Sequence, residues 1–240
     1  MATETAKDKI AKVLKQNRKS VSAHLRKVEK LKKDDSDTDA PDIDEVLAVI
    51  AVNDIANIEP ELSDIGADAN TTFLAQFGVK TDESLVGRIN ARANAYAAQR
   101  AGDLVTMIDE STRDMLRDDI ASGLADNLSY SQIADQLSDA YAFSDDRAQL
   151  IATTEIRIAN GEGNLAAMRQ GVEAGLNLMK YWQADEDPCP ECVENEEAGP
   201  IPIDDDFPSG DAVDPAHPHC ECTVLSVEIR DDGSEDDGDE

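Results

Sequence analysis

All four cysteines of this 240-residue chain fall within 34 consecutive positions. They stand as Cys189-Pro190-Glu191-Cys192 and Cys220-Glu221-Cys222, and His217-Pro218-His219 directly precedes the second group. The rest of the chain has no cysteine and one further histidine, His24. A Cys-x-x-Cys turn presents two thiolates to one tetrahedral ion, and a second short Cys/His group completes the shell. Residues 179–229 carry few large apolar side chains, essentially Trp182, Phe207 and a terminal apolar run. A core that small needs a staple. The expectation is a structural Zn2+ held by Cys189, Cys192 and two of His217, Cys220 and Cys222, with His219 the least favoured donor. On a strand, Cys220 and Cys222 point to the same face. Trp182 is expected beside the site as its hydrophobic floor. The alternative is one or two disulfides closing the same loop. The first 30 residues lack the apolar core of a secretory signal, which favours reduced thiols. No βαβ context surrounds the pair, which argues against a redox motif.

Charge bounds the partners. Against 22 basic residues stand 52 acidic ones, 33 Asp and 19 Glu, for a net charge of −30. Past residue 33 only Lys80 and Lys180 remain, beside nine arginines. A surface this acidic and this poor in lysine suits concentrated salt, where screening removes self-repulsion, so a halophilic source is expected. The charge is also segregated. Residues 1–33 hold eleven Lys/Arg against three acids, a local +8, and the remainder carries −38. Phosphate neutralisation drives DNA affinity, so the acidic body would be repelled by DNA and only the basic arm could approach it. No apolar run reaches the ~20 residues needed to span a bilayer, and no membrane partner is expected. Aromatic residues at 4% argue against a large β-sandwich.

The arm reads as a helix. Ile10, Leu14, Asn17, Val21, His24, Val28 and Leu31 keep a 3–4 spacing, a coiled-coil-type seam. Lys12, Lys15, Arg18, Lys19, Arg26 and Lys27 lie outside it as candidate partner-binding residues. Two readings stay open: the seam docks on another chain, a homo-oligomer included, or it packs on its own acidic body. Residues 34–44 read as an acidic linker and 230–240 as an acidic tail. Residues 45–112 form a helical region of no assignable family. Pro60 starts a helix, Gly78 stops it, and Thr81 caps the next. A break is expected near Gly102, a stop at Gly123, and N-caps at Ser131 and Ser144. The helix over 145–175 sets Ala148, Ile151, Glu155, Ile158, Glu162 and Leu165 on one stripe. Glu155 therefore falls on an apolar face and must be paired. Arg147 and Arg157 are the candidate partners, and a structural ion pair is the expected role. Strands are expected at 178–182 and 223–229. The fold class is α+β, mainly helical, with a small C-terminal β/zinc-ribbon-like module.

Several elements then come in a familiar order: Ile133-Ala134-Asp135-Gln136-Leu137; Ala148-Gln149-Leu150-Ile151-Ala152-Thr153-Thr154-Glu155 with Asn160 beyond; Gly171-Val172; Trp182-Gln183-Ala184; Asp187-Pro188-Cys189-Pro190-Glu191-Cys192; and His217-Pro218-His219-Cys220-Glu221-Cys222 before an apolar strand. Over roughly 115–229 the chain resembles the phage Mu F-like minor head proteins, the head morphogenesis proteins of tailed viruses, and 113–229 is the expected extent of that domain. Two departures stand out. Thr153-Thr154-Glu155 replaces the family's usual Arg-Thr-Glu, and Glu221 stands where a basic residue is common. The resemblance implies a virion component in the capsid interior near the portal, made in the host cytoplasm. It would act in head assembly and genome packaging or delivery, with portal or major capsid protein as partner and no catalysis. Packaged DNA could lie against the N-terminal arm. Two other functions compete. A metal-dependent hydrolase would need an open site with His or carboxylate ligands, and the chain has a thiolate-rich set and no His-Glu-x-x-His. A zinc-ribbon nucleic-acid binder would rely on the arm, because the ribbon region is itself acidic.

Overall fold

The computed structural model describes residues 5–34, 43–51, 53–126 and 128–229. The expected tail over 230–240 lies outside them, as does the expected linker apart from its two ends. The chain is mainly helical, with a small three-stranded antiparallel sheet near its C-terminus. Two compact units share it: Met1–Ser63 with Asn94–Glu155, and Asp64–Ala93 with Ile156–Glu240. No helix among the described residues is long and apolar enough to cross a membrane.

In the first unit, helix α1 (Ala6–Asp34) buries Ile10, Leu14, Val21 and Leu25 completely. They pack against α2 (Ile43–Leu47), the 3-10 turns Asn53–Ile58 and Tyr141–Phe143, and α5 (Tyr130–Gln136). Of the two readings of the seam, the in-chain one holds. The stripe also drifts from the sequence expectation, because Leu25 is buried where His24 is only half-buried. A 3.5-residue seam needs a long partner to supercoil around, whereas a straight helix on short elements keeps its 3.6-residue period. Asn17, 1% exposed, accepts a hydrogen bond from the Ala51 N–H at 2.9 Å and so ties a loop to the helix.

Helix α4 (Glu83–Ala125) runs unbroken through Gly102 and Gly123. The expected break fails because one exposed glycine costs a helix only about 1 kcal/mol, which a 43-residue helix absorbs. Gly123 has a packing reason instead. A Cβ there would sit 2.7 Å from Ile133 Cγ1 of α5. Ser129, not Ser131, caps α5. Its hydroxyl accepts the Gln132 N–H while the Gln132 side chain accepts the Ser129 N–H, a full capping box. Ser131 instead donates its N–H to Glu29 at 2.7 Å. Asp82 rather than Thr81 precedes α4, accepting the Leu85 N–H at 2.7 Å. Ser144 caps α6 (Asp145–Glu173) as expected, accepting the Arg147 N–H.

Glu155 is 4% exposed and forms a two-pronged pair with Arg100 of α4, at 2.7 and 2.8 Å. This corrects both expected partners. The Arg147 guanidinium is spent on Thr112, Ser111 and the Ala142 carbonyl, and Arg157 points to the cysteine loops. The pair holds Arg100 protonated above the usual arginine range, chiefly through the hydrogen bonds to Glu155.

In the second unit, α3 (Glu59–Gln76) meets α6 at glycines. A Cβ on Gly163 would overlap the Gly66 carbonyl oxygen, so the backbones touch directly. Beyond α6 the sheet runs in the order β2–β1–β3, with β1 (Leu178–Gln183) central, β2 (Ile201–Pro202) on one side and β3 (Thr223–Glu228) on the other. Trp182 pairs with Val224, and Lys180 with both Ser226 and Ile201. Period-2 alternation turns Leu178, Lys180 and Trp182 inward. The core there joins Phe73, Leu74, Leu165, Met168, Trp182, Phe207 and Val224 with three buried cysteines. Lys180 is wholly buried. Its ammonium donates to the Ala212 carbonyl at 2.8 Å and lies 5.1 Å from the Phe207 ring.

Candidate metal centre

A short helix, α7 (Pro190–Glu197), opens the site. Cys189 is its N-cap, Pro190 presets the first turn and Glu191 complements the helix dipole, so the Cys-x-x-Cys turn is the start of a helix. One turn in, Cys192 faces the core and is 1% exposed. From the far side of the Pro-rich loop come His217, Cys220 and Cys222. The last two precede β3 rather than lying on it, yet both are buried, at 4% and 2% exposed, with Glu221 turned out between them. The structure thus brings together all five expected donors. They form two triads that share Cys192: Cys189, Cys192 and His217, and Cys192, Cys220 and Cys222. His219 stays outside, exposed, at a positive φ of 64°.

The spacings suit a metal. Cys189 Sγ is 3.2 Å and Cys192 Sγ 3.7 Å from His217 Nε2, and Cys192 Sγ is 3.8 Å from Cys220 Sγ. With Zn–S near 2.3 Å and Zn–N near 2.0 Å, a tetrahedron has S···S edges of about 3.8 Å and S···N edges of about 3.6 Å. All four cysteines are free thiols, so the disulfide alternative is not realised. The electrostatics agree. Burial pushes the Cys192 and Cys220 thiols up, and the neighbouring sulfurs push the same way. Cys189, at the rim, is held below the usual thiol range, first by the Cys192 N–H and then by its side-chain neighbours Cys192 and His217. His217 is raised, first by the Pro218 carbonyl, to which its Nδ1–H donates at 2.9 Å, and then by Cys189. That bond leaves Nε2 facing the sulfurs, the orientation a ligand needs. The cluster can hold a metal ion.

A second layer fixes the loops. The Arg157 guanidinium, from α6, donates to the carbonyls of Cys220 and Cys222, the latter at 2.6 Å. It also lies 3.5 Å from Asp214 Oδ2. Asp214 accepts the Val224 N–H at 2.8 Å, so one arginine–carboxylate pair brackets the whole Cys-x-Cys segment. Trp182 is fully buried in the same core, edge-on to Phe207 at 5.1 Å.

Residues 114–225 match the family described as phage Mu protein F like protein. This span belongs to the phage Mu F-like family. It is a family of structural phage head morphogenesis proteins. No curated protein and no solved structure matches the chain. The Mu F-like span contains every donor of the cluster, as well as Glu155, Arg157 and Trp182.

The sequence-predicted cations lie elsewhere, on α1. Lys15 pairs with Asp145 at 2.8 Å and Arg26 with Asp135 at 2.7 Å, and Arg18 donates to the Ser138 carbonyl at 3.0 Å. Lys12, Lys19 and Lys27 are exposed. Sequence reasoning missed Arg100, Asp214 and Lys180. Asp214 carried a signal, since it sits between Val213 and Pro215 just ahead of the histidines. Arg100, 55 residues from Glu155, carried none.

Proposed function

We propose that this chain is a minor structural head protein of a tailed virus, built in at or near the portal vertex, and that it acts in head assembly and in genome packaging or delivery. The observation that carries this reading is the gathering of Cys189, Cys192, His217, Cys220 and Cys222 into one cluster inside the Mu F-like span. In this reading the ion is Zn2+, bound by Cys189, Cys192, His217 and one of Cys220 and Cys222. It closes a small terminal module over 113–229 and performs no chemistry. A thiolate-rich set that fills its own shell leaves no position for a reacting water. Exposed Lys19 and Lys27 offer a cationic face to portal or major capsid protein, or to packaged DNA. The lysine-poor, acidic remainder suits a virus of a salty habitat.

The test is to purify virions and proheads, locate the chain by imaging, and measure metal. The expected result is the chain at the portal vertex, with about one zinc per copy, and loss of heads or of infectivity on deletion. Its absence from purified particles would overturn the reading.

A further inference from the structure

Strand β3 is an edge of the sheet. Just beyond the ladder the Ile229 N–H donates to the Asn177 carbonyl at 2.8 Å, which fixes the phase of the β1–β3 pairing. Bonded and non-bonded pairs alternate in an antiparallel ladder. Thr223, Leu225 and Val227 therefore bond to β1, whereas Val224 and Ser226 turn their backbone groups outward. A separate contact agrees: the Val224 N–H is met from outside by Asp214 at 2.8 Å. Two residues on, the outward N–H and C=O of Ser226 have no partner among the described residues.

These groups open into a groove of about 450 Å3 between β3, α3 and α6. Ile65, Phe73 and Met168 supply apolar surface, and the amides of Asn160 and Asn164 stand opposite the strand. The one charged side chain lining it, among the described residues, is Asp68. We propose that this groove takes an extended segment of a partner protein, which pairs with β3 as a fourth strand. A helix would leave the Ser226 donor and acceptor unmet, whereas an extended backbone satisfies both and drops alternate side chains onto the apolar floor. Asp68 and a body of charge −38 past residue 33 select a segment that carries lysine or arginine. A second copy of this chain would bring the same negative charge, which disfavours self-pairing. The proposal does not depend on the metal or on the role in the head.

The probe is a display library of random decapeptides panned against the full chain. The expected result is enrichment of alternating apolar/polar peptides with a basic residue. By fluorescence anisotropy, an enriched peptide should bind Ser226→Pro at least tenfold more weakly, because proline removes only an outward N–H and leaves the β1 ladder intact. Asp68→Asn should weaken it severalfold, with a shallower salt dependence. Should Ser226→Pro fail to fold, judged by Trp182 emission, the peptide methylated at alternate amide nitrogens decides alone, and it should lose at least tenfold. No enrichment, or binding indifferent to both changes, overturns the proposal. So does a salt-dependent dimer abolished by Ser226→Pro, which would assign the edge to a second copy.

Discussion

Two glycine-to-alanine changes should move stability in opposite directions. Each gains the intrinsic helix preference of alanine, about 0.8–1 kcal/mol. At Gly102 a Cβ meets nothing within 4 Å, so the gain is kept, and Tm should rise by about 2–4 °C for a chain of this length. At Gly163 the Cβ would collide with the Gly66 carbonyl oxygen and stand 3.0 Å from Ala69 Cβ. The near atom is backbone, not a side chain that can rotate away, so α3 and α6 must separate. Overpacking of this kind costs about 1–3 kcal/mol, and Phe73, Leu165 and Met168 beside the contact would loosen with it. With fixed backbone as the obstacle the cost falls in the upper part of that range, about 2–3 kcal/mol, so the net for Gly163→Ala is a loss of about 1–2 kcal/mol after the helix gain is subtracted. Urea unfolding at fixed salt, followed by far-ultraviolet dichroism and by Trp182 emission, measures both. A Gly163→Ala protein as stable as wild type, with an unchanged denaturant slope, would refute the close approach of these helices.

Other changes test the remaining interactions. Glu155→Gln leaves Arg100 short of its charge partner and should cost about 2–3 kcal/mol, since that guanidinium keeps some water; in a double-mutant cycle with Arg100→Met, chemical denaturation should show the double change costing less than the sum of the singles. Chelation, or Cys192→Ser, should unfold the β1–β3 module first and shift Trp182 emission to longer wavelength, while the dichroism of α1 and α4 persists; equal loss of both signals would contradict this. Burial holds the Lys180 ammonium below the ordinary lysine value of 10.5. The unfolded chain therefore binds that proton more tightly, and stability should rise with pH as the ordinary lysine range is approached. Lys180→Met should flatten that rise relative to wild type, as measured by urea midpoints across the alkaline range.

What was legible in the sequence was local. Ser144 with two aspartates after it marked the start of α6, Gly78 marked the end of α3, and short apolar runs marked β1 and β3. The donor set was legible because cysteine and histidine are scarce elsewhere, so their crowding pointed to one shared ion. What escaped depends on distant chain. Nothing near Arg100 says that Glu155 lies opposite, and nothing near Gly123 says that Ile133 needs its space. Gly102 misled because an exposed glycine and a helix stop look alike without neighbours. The α7 start did have its signal, proline after a capping position and then glutamate, but the cysteines invited a reading as a turn. Lys180 sat in the middle of a short apolar run, and its charge argued against the burial that a carbonyl and an aromatic ring make tolerable.

The five donors differ in how far they are from solvent. Cys192, Cys220 and Cys222 are sealed in, whereas Cys189 and His217 stand at the rim, half-buried, with the thiol of Cys189 already inclined to ionise. The centre therefore has a doorway and a back wall. An ion entering from solvent would meet Cys189 and His217 before the three buried sulfurs. An ion held there would leave, or be exchanged for a softer metal, past the same two residues, a helix cap and an imidazole.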